Sequence, residues 1–395
     1  MKTFDFEYAI LVCQKSKIND WVQHFKTYYG YDVTDYPKEK KIKPGVVVVN
    51  YDTIWRRKEF LQLHNVMLIL DESSLICNET AKRTKFIMKL DVQNVILLSG
   101  TICSGKYENL LSQINLLGWD ISRNRYDATY VNWTLTPDDG SGVRHKIVDK
   151  DDPYKNVDRL KAKLREHGAV FLKTEEVIDL PEQNFINVMV DAPKEYKKFM
   201  KDSIVQVHTG EFDHECDSEW DGKIYDDLHE LIGDTLFTKR LYARQLCSQY
   251  NRNKIDALKD LIQSTSDRLI VFYNFNAELD MLKGICDAHK RPYSQVNGSV
   301  KDLYAYEEKT DSVTLVQFQA GAMGLNLQKC NKIIYFSLPD RSELFEQSKK
   351  RIHRIGQSHP CFYYIMMARN TIDEQIKTAL DMRKDLTDYL FEEGE

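Results

Sequence analysis

Seven short apolar runs, each closing on polar or small residues, constrain the fold of this 395-residue chain more than any other feature. They are YAILVC (8–13), VVVVN (46–50), VMLILDE (66–72), VILLSGT (95–101), RLIVFYNF (268–275), SVTLVQF (312–318) and KIIYFSL (332–338). Continuous rather than alternating hydrophobicity marks strands buried on both faces, and helix-like segments separate the runs. The predicted class is therefore α/β with parallel sheets. Ligands of such sheets bind beyond the carboxyl ends of the strands, which directs attention to Gln14, Lys15, Asn50, Asp71, Glu72, Ser99, Thr101, Asn274 and Gln319.

The runs fall into two sets, and the length calls for two domains. A first lobe is expected over residues 1–195, a helical and acidic connection over 196–239, and a second lobe over 240–395. The connection holds GEFDHECDSEWDGKIYDD (210–227), which reads as a surface insertion. No apolar run approaches the roughly 20 residues needed to cross a bilayer, and the N-terminal run lacks a small-residue cleavage site. The 8 cysteines form no C-x-x-C pair, which points to reduced thiols and a cytoplasmic setting. His208, His214 and Cys216 lack a second closely spaced pair of ligands, so zinc is not expected there. A net charge of -5 does not advertise nucleic-acid binding, but a local basic groove can coexist with acidic surface elsewhere. Basic runs occur at Lys38–Lys43, Arg56–Lys58 and Lys82–Lys85, each readable alone as solvated surface.

Two stretches carry chemistry. In VMLILDESS a buried strand ends in adjacent carboxylates, placing Asp71 to hold Mg²⁺ and Glu72 to polarise an attacking water. On these residues alone, an acidic helix start remains an equal alternative. In KKRIHRIGQSHP (349–360) a helix-like segment is expected to project Arg351 and Arg354 from one face, with Gln347 one turn earlier. Two converging guanidiniums suit a phosphate group, while the bland alternative is a solvated basic face.

In order, CQKSKINDW, VVNYD, DESS, LLSGT, FYNF, QAGAMGLNL and EQSKKRIHRIGQ resemble motifs Ia to VI of the superfamily II helicase-like ATPases, Swi/Snf branch, including its compact bacterial and phage members. LYARQLCSQYNRNKIDAL (241–258) is similar to the segment opening that family's second lobe. The resemblance implies two RecA-like lobes, ATP and Mg²⁺ as substrate and cofactor, and DNA, in duplex form, as partner. It implies that Asp71 holds magnesium, that Glu72 activates water, and that Arg351 and Arg354 act as arginine fingers framed by Gln347 and Gln357. Ser99, Gly100, Thr101 and Gly324 would couple nucleotide state to grip. Lys15, Ser16, Asn50, Tyr51, Gly321 and Asn326 would contact the nucleic-acid backbone.

One motif of the family is missing. No G-x-x-x-x-G-K-[ST] loop occurs in the sequence; SGKYEN (104–109) follows the third motif and DGKIYD (221–226) lacks Ser or Thr after its lysine. The expectation is that an upstream segment or a separate polypeptide supplies the loop, and that this chain alone is impaired. The alternatives are a non-catalytic nucleic-acid clamp and a partner-binding scaffold. Either would work in a bacterial or phage-infected cytoplasm.

Overall fold

The runs up to residue 98 form one sheet in the computed structural model, which describes residues 6–100, 102–103, 105–136, 144–171, 179–208, 228–321 and 325–391. Its strands are β1 (Tyr8–Cys13), β2 (Val33–Asp35), β3 (Gly45–Asn50), β4 (Val66–Asp71) and β5 (Asn94–Leu98), all parallel, in the order β2-β3-β1-β4-β5. The strand period of two divides β1 between the faces. Ile10 and Val12 join one apolar cluster with Val47, Val49 and Leu68; Ala9, Leu11 and Cys13 join another with Val46, Val48 and Val22. Each fully buried Val, Leu or Ile contributes about 1.5–3 kcal/mol, so continuous hydrophobicity is used on both faces.

Burial declines toward one edge. Residues Ala9–Cys13 and Val46–Asn50 are buried throughout, whereas Ile96 and Leu98 of β5 are each 39% exposed. Among the described residues no strand pairs with the outer edge of β5. The helix Ile18–Tyr29 packs Ile18 and Val22 against the sheet and ends where Gly30, at φ 64, lets its N–H reach Lys26 O.

A second sheet has β8 (Gln183–Val190), β11 (Leu269–Tyr273), β12 (Tyr293–Val296), β13 (Lys301–Asp302), β14 (Val313–Gln317), β15 (Lys332–Tyr335) and β16 (Cys361–Ala368). The order is β13-β12-β14-β11-β15-β16-β8, parallel except for the β12–β13 pair. The strand NFINVMV, expected with the first lobe, is β8 of this sheet. It pairs in register with β16 from Gln183↔Cys361 to Val190↔Ala368. Most of β16 is buried, so a strand is required along its far side, and the chain supplies one whose residues lie 178 positions upstream of their partners (361 − 183).

Contacts divide the chain into Met1–Val177 with Met382–Glu395, and Ile178–Asp381. The stretch expected as a helical connection contains the helix Lys194–Asp202 and an antiparallel ribbon, β9 (Ile204–His208) with β10 (Leu228–Ile232). Between these strands, His214 and Cys216 lie outside the described residues. No helix among the described residues is long and apolar enough to cross a membrane.

Candidate functional site

The carboxyl ends of β1, β3 and β4 lie side by side, so the residues that follow them meet. Asp71 closes β4 half-buried, and its Oδ2 accepts a 2.8 Å hydrogen bond from the Trp21 indole. Tyr51, the first residue after β3, donates its hydroxyl to the Asp71 carbonyl at 2.8 Å. Glu72 takes the left-handed conformation, φ 54 and ψ 56, which costs a non-glycine residue about 1–2 kcal/mol and persists only where the surroundings enforce it. Its carbonyl accepts from Leu75 N at 2.9 Å, starting the turn Ser73–Ile76. The acidic pair therefore precedes a short 3₁₀ turn, and the simple alternative of a capped α-helix start does not describe this backbone.

Electrostatics follow the same geometry. Burial, and next the Asp71 charge, push the Cys13 thiol up to about 12. The same two causes, in the same order, raise the Tyr51 phenol well above its usual range, so it remains a proton donor. The Asp71 carboxylate keeps its Oδ1 without a hydrogen bond among the described residues. One free oxygen suits Mg²⁺, which usually takes one or two carboxylates and fills its octahedron with water and substrate phosphates. A protein cage is not present: among the described residues no three His, Cys, Asp or Glu side chains cluster.

Beyond the carboxyl ends of β1, β2 and β3 lies an open cavity of about 620 Å³. Lys15, Asn19, Lys40, Asn50, Arg56 and Arg57 line it, with Asp35, Lys38 and Asp52. Lys38 is paired with Asp35 at 2.7 Å and donates to Asn19 at 2.8 Å. Lys15, Lys40, Arg56 and Arg57 have no ion pair among the described residues. Two basic runs that look like separate solvated surface in sequence thus converge on one concavity. Ser16 is exposed next to Lys15. Tyr51 departs from expectation: it is 3% exposed with its hydroxyl turned to Asp71, so its side chain is not a backbone-phosphate contact.

Ser99 and Gly100 follow β5, half-buried and exposed, while Thr101 lies outside the described residues. Gln113, not anticipated from sequence, connects their neighbourhood to the acidic turn. Its Oε1 accepts from Ser73 Oγ at 2.7 Å and its Nε2 donates to Ile102 O at 2.8 Å. A buried amide in an otherwise apolar stretch, LLSQINLL, was the available signal.

In the second unit the basic stretch is not one helix. The helix Ser342–Lys349 stops at Lys349, and residues 351–356 form turns because Ile352 is fully buried and the His353 ring is held 2.9 Å from Pro181 O. Gly356 at φ 96 completes the reversal. Helical spacing therefore does not place Gln347, Arg351 and Arg354 on one face. Gln347 is buried within the helix, and both arginines are half-buried. Arg354 donates to the Asn326 side chain, and Arg351 O accepts from Leu327 N at 3.1 Å, so the segment after Gly324 docks on this turn. Gly321 ends a short helix and Gly324 lies outside the described residues. Gln357 is committed to backbone: its Nε2 bonds the carbonyls of Cys330 at 3.0 Å and Gln328 at 3.2 Å, and its Oε1 accepts from Ser358 and His359. Its contribution is to hold the turn.

Comparison with known proteins places these residues in a family. The SNF2-related domain matches residues 3–249 and the helicase conserved C-terminal domain matches 253–356. The mouse SWI/SNF-related matrix-associated actin-dependent regulator of chromatin subfamily A member 1 is 22% identical over 98% of this chain and 38% of its own length. DNA repair protein rhp54 of Schizosaccharomyces pombe is 23% identical over 98% of this chain and 52% of its own length. The C-terminal part of the Fun30 ATPase domain, a solved structure, matches 36% of this chain and 55% of its own at 22% identity and a TM-score of 0.31, too low to bear on the fold. The chain thus spans between about two fifths and one half of these curated relatives. With the SNF2-related match covering more than half of its residues, the chain belongs to the SNF2-related family, within the Swi/Snf branch of helicase-like ATPases.

Proposed function

We propose that this chain is the motor portion of a DNA-dependent ATPase that translocates on duplex DNA. The observation that carries the reading is the juxtaposition, within one unit, of the Asp71–Glu72 strand end and a basic cavity whose Lys15, Lys40, Arg56 and Arg57 have no ion pair among the described residues. Lysines and arginines without ion pairs are what sequence-independent phosphate contact requires. Asp71 would hold Mg²⁺ through its free oxygen, Glu72 would orient water, and Arg351 and Arg354 would neutralise charge developing on the transferred phosphoryl. Ser99 and Gly100, with Thr101, would report nucleotide state through Gln113 to the acidic turn, while Asn326 would present Arg354. Bound Mg²⁺ would supply charge neutralisation of the phosphates.

The described residues include no phosphate cradle to match, and the sequence has no Gly-x-x-x-x-Gly-Lys-Ser/Thr loop. A segment outside these residues, upstream or in a separate polypeptide, would supply it. Among the described residues nothing covers Ile96 and Leu98 of β5, each 39% exposed, which supports that reading, since purely parallel sheets normally have both faces covered. The 7 cysteines among the described residues are all free thiols, which suits a bacterial or phage-infected cytoplasm. The names of the relatives, a chromatin regulator and a DNA repair protein, agree with DNA as partner.

The test is phosphate release by the 395-residue chain with and without duplex DNA, alongside DNA affinity at several salt concentrations. Slow or absent hydrolysis with steeply salt-dependent DNA binding is expected, because positioning is most of the catalysis in phosphoryl transfer. An affinity that stays flat between low and physiological salt would remove DNA as the partner. Robust DNA-stimulated hydrolysis that Glu72→Gln abolishes would show that another element replaces the loop.

A further inference from the structure

Two arms of the basic cavity each end in a hydrogen bond to the same residue. The first runs from the turn Lys15–Lys17 into the helix Ile18–Tyr29, whose Trp21 donates to Asp71 Oδ2 at 2.8 Å. The second runs from Arg56 and Arg57 back through the short helix Tyr51–Ile54 to the Tyr51 hydroxyl, 2.8 Å from the Asp71 carbonyl. Among the described residues Trp21 makes the only side-chain hydrogen bond to the Asp71 carboxylate. The following residue, Glu72, sits in the left-handed region, a conformation held by its surroundings.

We propose that Trp21 and Tyr51 are positioning residues linking occupancy of the basic cavity to the placement of the Asp71 carboxylate and the Glu72 backbone. The proposal rests on the reading of that cavity as a nucleic-acid site. A phosphate drawn onto Lys15 acts at the start of the helix that holds the indole, and one drawn onto Arg56 acts at the end of the segment that holds the phenol. Each arm is one or two helical turns long, short enough to move as a rigid piece. Linkage is reciprocal, so a change at Asp71 must alter nucleic-acid affinity through the same two bonds. Tyr51 is suited to the task because it is buried at 3% exposure with its hydroxyl fixed on the Asp71 carbonyl. Trp21 is suited because an indole N–H only donates and cannot reverse the bond.

A double-mutant cycle decides it without requiring turnover. Affinity for a fluorescent duplex is measured for the wild type, Trp21→Phe, Asp71→Ala and the double variant, with melting temperatures as the record of structural loss. Loss of the Asp71 charge by itself acts on DNA equally in both backgrounds and cancels in the cycle. A residual coupling of roughly fivefold or more is expected; single effects that simply multiply overturn the linkage. Tyr51→Phe removes one hydroxyl and should weaken DNA binding roughly two- to fivefold with an unchanged salt slope. Unchanged affinity for that variant overturns the second arm, and it decides the proposal alone if Trp21→Phe does not fold. A wild type without salt-dependent affinity for duplex overturns the nucleic-acid reading and the linkage with it. Salt-dependent affinity with multiplicative effects overturns the linkage alone.

Discussion

The carboxyl rims of the two sheets use polar side chains in opposite ways. At the first, Lys15, Lys40, Arg56 and Arg57 surround a cavity without ion pairs among the described residues, and Asp71 keeps an oxygen uncommitted. At the second, polar groups bind one another. Glu278 is fully buried and its Oε2 accepts from Asn274 N at 2.7 Å, Phe275 N at 3.0 Å and Ser337 Oγ at 2.9 Å; Asn274 in turn donates to Ser337 and Leu338. Arg244 is drawn to Asp340 and Leu338 O. The difference teaches that similar polarity at strand ends can serve two purposes. Like charges left together repel and are relieved by an anionic ligand, whereas a hydrogen-bonded network, complete here but for the Glu278 Oε1, fixes loops. On the proposed reading the first rim would receive a ligand, while the second ties its own loops together.

The largest effect should come from the two arginines of the second unit's basic turn. In a form carrying a phosphate-binding loop, Arg351→Ala or Arg354→Ala should lower turnover roughly a thousandfold, as for other arginine fingers, with DNA affinity nearly intact. Collapse of DNA affinity at unchanged turnover per bound complex would make that basic turn a second nucleic-acid contact beside the first rim. Next, Glu278→Ala should destabilise the second unit by about 3 kcal/mol, since two buried backbone N–H groups lose their acceptor; thermal or urea unfolding reads this. DNA affinity should not follow, and a large loss there would place a ligand on the second rim.

The first rim should respond in affinity rather than stability. Arg56→Ala combined with Arg57→Ala should weaken duplex binding and make the salt slope shallower by about 1.8, if each arginine neutralises one phosphate. An unchanged slope would return both residues to solvated surface. The smallest effect is expected at Lys38, already paired with Asp35: Lys38→Ala should leave affinity within about twofold, surface pairs being worth at most about 1 kcal/mol. A loss equal to that of Arg56 would show that ion pairing does not separate the working bases from the idle ones.

The apolar runs alone determined seven of the strands and the parallel class, and for β1, β3, β11 and β14 the burial on two faces, because hydrophobic period is a local property that survives in almost any tertiary setting. They also placed Asp71 and Glu72 at a strand end, where a ligand would be met. Only the tertiary structure decided which strand belongs to which sheet, since β8 finds its partner residues 178 positions away (361 − 183), a pairing governed by the burial needs of β16 rather than by sequence neighbours. It turned Tyr51 inward, brought the bases near Lys38 and Arg56 to one cavity, and joined Trp21 to a carboxylate 50 residues further on. It also ended the helix at Lys349, where burying Ile352 and His353 outweighed the helical spacing that the basic run suggests. Each of these outcomes depends on which surfaces exclude water together, a quantity defined between segments and not within any one of them.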